Sequence, residues 1–154
     1  MKLSLYLVVA LFVPVSLLAD NPSLVDKELG ALKGTWKAIA MEAGGQALPK
    51  ASIPDFTFIV TVSGKATSKS PFGNYQATIS VDSQKNPKTI DNLHETGSQQ
   101  GSKQFGIYRL KDDLWTVCMT PPGAAEEDRP KDFNTKGTAN AVIVFKRHEE
   151  NQAP

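Results

Sequence analysis

Two stretches of this chain alternate apolar and polar residues with a period of two, and that alternation constrains the fold more than any other feature. Phe56, Phe58, Val60 and Val62 interleave with Thr57, Ile59, Thr61 and Ser63; Tyr75, Ala77, Ile79 and Val81 interleave with Gln76, Thr78, Ser80 and Asp82. Successive side chains of a strand point to opposite faces, so each stretch predicts a strand with one face buried and the other wet. Further strands are expected over Thr35–Met41, Lys65–Ser70, Lys88–Leu93, Gln104–Leu110, Leu114–Met119 and Asn140–Arg147. Gly44-Gly45, Ser63-Gly64, Pro71 to Gly73, Asn86-Pro87, Gly97 to Ser102 and Lys111 to Asp113 supply turns between them. The expected fold is all-β, an antiparallel up-and-down barrel of about eight strands, because closure removes the exposed edges of so small a sheet. A two-sheet sandwich is the structural alternative.

One helix precedes the strands. Ser23 is placed to cap it with Asp26 reaching back, Val25, Leu29 and Leu32 recur at helical spacing, and Gly34 suits the stop, so an amphipathic helix is expected over Ser23–Lys33. Before it lies a leader: Lys2 followed by an apolar run from Leu3 to Leu18 and then Ala19. The run contains Pro14 and lacks a flanking basic cluster, which favours a cleaved signal peptide over residues 1–19 rather than a membrane anchor. Asp20 stands where a lipid-carrying cysteine would be needed. The expected organisation is then a leader at 1–19, a barrel domain over 20–148 and a polar tail over 149–154. The mature chain is expected in the periplasm or outside the cell, with no membrane span.

Charge and cysteine content narrow the partners. With Lys2 removed, acidic and basic side chains are equal in number, so nucleic-acid binding has no electrostatic motive. Cys118 is the single cysteine, so no intrachain disulfide is available and the fold must rest on its core.

Gly34-Thr35-Trp36 directly after a short helix resembles the Gly-x-Trp signature that opens the barrel of lipocalins and fatty-acid-binding proteins. The resemblance implies that a basic residue near the chain's end packs across the tryptophan and closes the barrel base. Arg147 occupies that position, so Gly34, Trp36 and Arg147 are the expected closure residues. A guanidinium over an indole face is favourable by about a kcal/mol whatever the family. Leu32-x-Gly34-Thr35-Trp36, Pro87-Lys88-Thr89-Ile90-Asp91, Gly106-Ile107-Tyr108 and Arg129-Pro130-x-x-Phe133 together resemble an exported lipocalin-like family abundant in planctomycete bacteria. That family has no assigned function, so the resemblance implies a fold and no activity.

Candidate functional residues follow from the barrel. Phe56, Phe58, Val60, Tyr75, Ile79, Phe105, Ile107, Trp115 and Val117 are expected to line its interior, either as a filled core or as the wall of a ligand cavity, with Ala38, Ala40 and Ala77 leaving space. Cys118 with His94 as base and Asp91 as orienter is the one nucleophilic arrangement to weigh, against the simpler reading of Cys118 as a small apolar strand residue. No metal-ligand spacing is present: His94-Glu95 and His148-Glu149 are strand neighbours that face opposite ways. The irregular stretch Thr120–Ala139 is too long for an ordinary hairpin loop and reads as a lid, a plug or a mobile segment. Within it, Arg129 is expected to pair internally with an acid such as Asp91, and Phe133 to tuck into the barrel mouth. The leading functional expectation is a non-enzymatic barrel, without cofactor or metal, that holds a small, partly apolar molecule. The alternative is a solid-cored structural or protein-interaction module of the cell envelope.

Overall fold

The computed structural model describes residues 23–71 and 73–149; the expected leader and the tail beyond residue 149 lie outside them. Among the described residues one α-helix, α1 (Leu24–Leu32), precedes nine antiparallel strands: β1 (Gly34–Ala43), β2 (Gln46–Ala47), β3 (Thr57–Val60), β4 (Lys65–Lys69), β5 (Tyr75–Asp82), β6 (Lys88–His94), β7 (Lys103–Lys111), β8 (Leu114–Met119) and β9 (Ala141–His148). From β3 to β9 each strand pairs with the next, β3 also pairs with β1, and β1 pairs with β9. The ring of β1 and β3–β9 is an eight-stranded, up-and-down, lipocalin-like barrel. Strand β2 is an addition to it, folded back on β1 by the Gly44-Gly45 turn. Among the described residues no helix is long and apolar enough to cross a membrane.

Local chemistry explains where the elements begin and end. The Ser23 hydroxyl accepts from the Asp26 amide at 3.1 Å and the Ser23 amide donates to the Asp26 carboxylate at 3.1 Å, so a full capping box starts α1. Leu29 and Leu32 are buried, but Val25 is 46% exposed, which makes the helix's apolar stripe shorter than its spacing suggested. The long alternating stretch also ends early. Val62 lies in the β3–β4 turn and is 56% exposed, because the chain reverses at Thr61–Gly64 instead of continuing. In β1 the register slips between Ala38 and Ala40. Such a bulge exchanges the two faces of a strand. Trp36 and Ala38 face inward before it, Met41 and Ala43 after it, and Ala40 is turned to the outside, contrary to the expectation that it would leave space within.

The helix end of the barrel is sealed around Arg147. Its guanidinium lies 4.2 Å from the centre of the Trp36 ring and donates from Nη1 to the Lys33 carbonyl at 2.6 Å and from Nη2 to the Ala31 carbonyl at 2.8 Å. These are carbonyls at the C-terminal end of α1, which carry the negative end of the helix dipole and lack an intrahelical donor. The Trp36 indole N–H donates to the Leu32 carbonyl at 2.8 Å, so both members of the pair hold the same helix end. Gly34 is required here twice over: its φ is +130°, and a Cβ on it would stand 3.0 Å from Arg147 Nη1. Glu28 completes the seal, accepting from the Tyr108 hydroxyl at 2.9 Å and pairing with Lys88 at 2.5 Å.

Trp36→Ala is expected to destabilise the protein by about 3–5 kcal/mol through lost burial and a residual cavity. Arg147→Met removes three charged hydrogen bonds, to the Lys33 and Ala31 carbonyls and to the Asp113 carboxylate, together with the cation–π contact, and is expected to remove about 2–3 kcal/mol. Arg147→Lys should restore little of this, since an ammonium cannot stack on the indole and fork to two carbonyls at once. Urea unfolding checks all three; an unchanged midpoint in Trp36→Ala would contradict this account of the base.

Candidate functional site

The interior divides into a solid half and a hollow half. Next to the sealed end, an aromatic stack fills the barrel: Trp36 meets Trp115 edge-on at 5.5 Å, and Trp115 continues to Phe58 at 5.8 Å and Phe145 at 5.4 Å. Beyond the stack a cavity of about 500 Å³ runs to the opposite end. There it is bordered by exposed loop residues, Gly73 and Asn74 before β5, Gly97 to Gln99 after β6, and Pro121 and Pro122 after β8.

Six of the nine residues expected inside the barrel stand on this wall: Phe56, Phe58, Tyr75, Ile79, Trp115 and Val117. Val60 is buried in the solid core instead. Phe105 and Ile107 are on the other face of β7. Gln104 lines the cavity and Tyr108 lies in the core, so the residues between them in alternation point outward. The interior face of β7 therefore carries Gln104, Gly106 and Tyr108, and the more apolar pair lies outside. Gly106 has no room for a side chain, because a Cβ would come within 2.2 Å of the Met119 sulfur.

The outward face of β7 is buried nonetheless, with Phe105 8% and Ile107 1% exposed, because the β8–β9 connection folds over it. Arg129 anchors that connection. Its Nη1 donates to the Asp91 carboxylate at 2.6 Å and to the Gly106 carbonyl at 3.0 Å, and its guanidinium lies 5.2 Å from the Phe105 ring centre. Burial by itself would lower the Arg129 pKa, but the hydrogen bond and charge of Asp91, reinforced by Glu126, carry it above the usual arginine value. Phe133 packs against Arg109 at 4.9 Å, on this outer face and away from the mouth where it was expected. Thr135, fully buried, donates to Glu42 at 2.6 Å and accepts from the Gly45 amide at 2.8 Å. The connection is thus a strap pinned along the outside of the barrel, with only its two ends, Thr120–Pro122 and Ala139, reaching the cavity.

The strap also decides the fate of Cys118. This residue pairs with Ile107 on the outward face and is fully buried. Burial, with the Asp132 and Glu42 carboxylates, pushes its thiol pKa up to about 11, so the thiolate is scarce at neutral pH. His94 faces the interior, two residues along β6 from Asn92, whereas Asp91 faces out to Arg129. The barrel wall separates His94 from Cys118 and Asp91, and the three form no catalytic constellation.

His94 belongs instead to a polar group that the apolar reading of the strands passed over. Its Nε2 lies 2.8 Å from Gln104 Oε1, Asn92 Nδ2 donates to the same oxygen at 3.2 Å, and Gln104 Nε2 donates to the Thr120 carbonyl at 2.9 Å. Tyr75 stacks on the His94 ring at 4.5 Å between centres. Burial raises the Tyr75 phenol pKa, an effect that nearby Ser68 and Asn92 oppose. Among the described residues, four buried side-chain polar atoms have no hydrogen-bond partner: Ser68 Oγ, Asn92 Oδ1, His94 Nδ1 and Trp115 Nε1. Asn92, His94 and Trp115 all line the cavity. No family model matches the chain, and no curated protein is significantly similar to it.

In the native protein Cys118 should resist alkylation at neutral pH and react fully after unfolding. Arg129→Ala removes the charged hydrogen bonds to Asp91, Gly106 and Glu126 and should loosen the strap, accelerating labelling by at least about ten- to hundredfold. A thiol that reacts at the rate of a free peptide in the native protein would contradict the strap.

Proposed function

We propose that this protein is an exported binding barrel that holds one small, partly apolar molecule in its open half, without chemical change. The observation that carries the proposal is the cavity of about 500 Å³ with buried, partnerless polar atoms on its wall. Its volume falls within the roughly 300–1,000 Å³ of small-molecule pockets. A buried polar group left unmet costs about 1–3 kcal/mol, so the three on Asn92, His94 and Trp115 would consume much of the roughly 5–15 kcal/mol by which a domain is stable. Water or a ligand therefore satisfies them. A cavity that served only as packing space would be smaller and apolar throughout.

Export rests on the leader pattern of residues 1–19, and the mature protein is placed in the periplasm or the medium on that basis. The binding role rests on the cavity alone. The solid half of the barrel is consistent with the sealed end serving stability, which leaves the open end and its three loops as the entry.

Native mass spectrometry of the protein purified from its own envelope fraction tests this reading. A retained, stoichiometric small molecule is the expected result. A clean apo mass, with no gain on exposure to envelope extract, would contradict it and favour the envelope interaction module. Ala141→Trp, which places an indole on the cavity wall, should abolish retention while leaving the strap and base intact.

A further inference from the structure

The cavity has two chemically distinct walls. Phe56, Val117, Met119, Ile143 and Phe145, from the segment before β3 and from β8 and β9, make one side apolar. Tyr75, Asn92, His94 and Gln104, from β5, β6 and β7, make the other side polar. Among the described lining residues none is Asp, Glu, Lys or Arg. An ion entering this space would lose its hydration and meet no opposite charge among these residues, a penalty that apolar contact does not offset.

The hydrogen-bond network specifies which polar chemistry is missing. The Thr120 carbonyl can only accept, so Gln104 directs its Nε2 there and turns Oε1 toward His94 and Asn92. Facing that oxygen, the His94 Nε2 is the donor, and in that tautomer of the imidazole Nδ1 is left as a bare acceptor. Asn92 likewise uses its Nδ2 on Gln104 and leaves Oδ1 as a second bare acceptor. Both side chains are more than nine-tenths buried, with His94 4% and Asn92 5% exposed. Two buried acceptors, on cavity-lining residues held by one glutamine, call for a donor.

We propose that the cavity selects an uncharged molecule bearing a hydrogen-bond donor, such as an alcohol or an amide N–H, which meets His94 Nδ1 and Asn92 Oδ1 while its apolar body lies against Phe56, Ile143 and Phe145. This selectivity rests on the cavity-binding reading above and adds a class of ligand to it. A carboxylate only accepts hydrogen bonds and has no use for these two acceptors, whereas an alcohol donates to them and can also accept from the partnerless Trp115 indole N–H.

Three probes of one shape separate the possibilities: naphthylmethanol, methylnaphthalene and naphthoate, substituted at the same ring position, titrated into the full mature protein while the methyl resonances of Ile79, Val117 and Ile143 are followed by NMR. The alcohol is expected to bind about tenfold more tightly than the hydrocarbon, the equivalent of one neutral hydrogen bond, and the carboxylate not measurably. In His94→Phe and in Asn92→Leu, the advantage of the alcohol over the hydrocarbon should shrink toward unity, with dispersed methyl spectra showing that each variant is folded. Equal binding of all three probes, or a preference for naphthoate, would overturn the selectivity while leaving cavity binding in place. Failure of all three up to their solubility limits would overturn the binding reading and the selectivity together.

Discussion

Arg147 joins three parts of the chain that are far apart in sequence, and the rest of the architecture depends on that junction. Its guanidinium lies over Trp36 on the first strand, belongs itself to the last strand, and donates to two carbonyls at the end of the helix. An arginine is needed because only a planar fork can stack on an indole and satisfy two carbonyls together. The junction closes the sheet at the β1–β9 seam and fastens α1 across one end of the ring. With no intrachain disulfide available, this polar clasp and the aromatic stack above it supply the order that some small folds draw from cross-links.

Sealing one end has a consequence for the other. The stack of Trp36, Trp115, Phe58 and Phe145 occupies the sealed half, and the side chains beyond it do not meet across the ring, so space remains toward the loops. The β8–β9 connection, which a short hairpin would have made unnecessary, is laid along the outside. There it covers Phe105, Ile107 and Cys118 and is held by Arg129 and Thr135. The barrel thus has an apolar layer on each side of its β7–β8 wall, and the mouth is left free of the strap except at its ends.

Much of this was legible in the residues. Alternation located the strands, Ser23 and Asp26 located the helix start, and Trp36 with Arg147 located the seam. The misplaced residues of β7 and β1 share one cause, which is that periodicity shows that a strand has two faces and not which face is inside. In β7 the apolar residues Phe105 and Ile107 were natural candidates for the interior, yet the inner positions are Gln104, Gly106 and Tyr108. In β1 the bulge after Ala38 exchanged the faces and turned Ala40, expected to leave space inside, to the outside. A signal for the polar wall was present: Ile90, Asn92 and His94 are in phase on β6, so placing Ile90 inside places both polar residues there as well. Nothing in local pattern, however, tells that Gln104 on the next strand stands opposite Asn92, because that depends on the register set by the whole ring.

The central claim, that the open half of this barrel is an accessible cavity, is tested most directly by xenon. In an NMR spectrum recorded under xenon pressure, the methyls of Ile79, Val117 and Ile143 should shift with saturation, and those of Ile107, outside the barrel beneath the strap, should stay in place. Stationary methyls at all four residues would show that the interior is solid, and the binding account would fall with it.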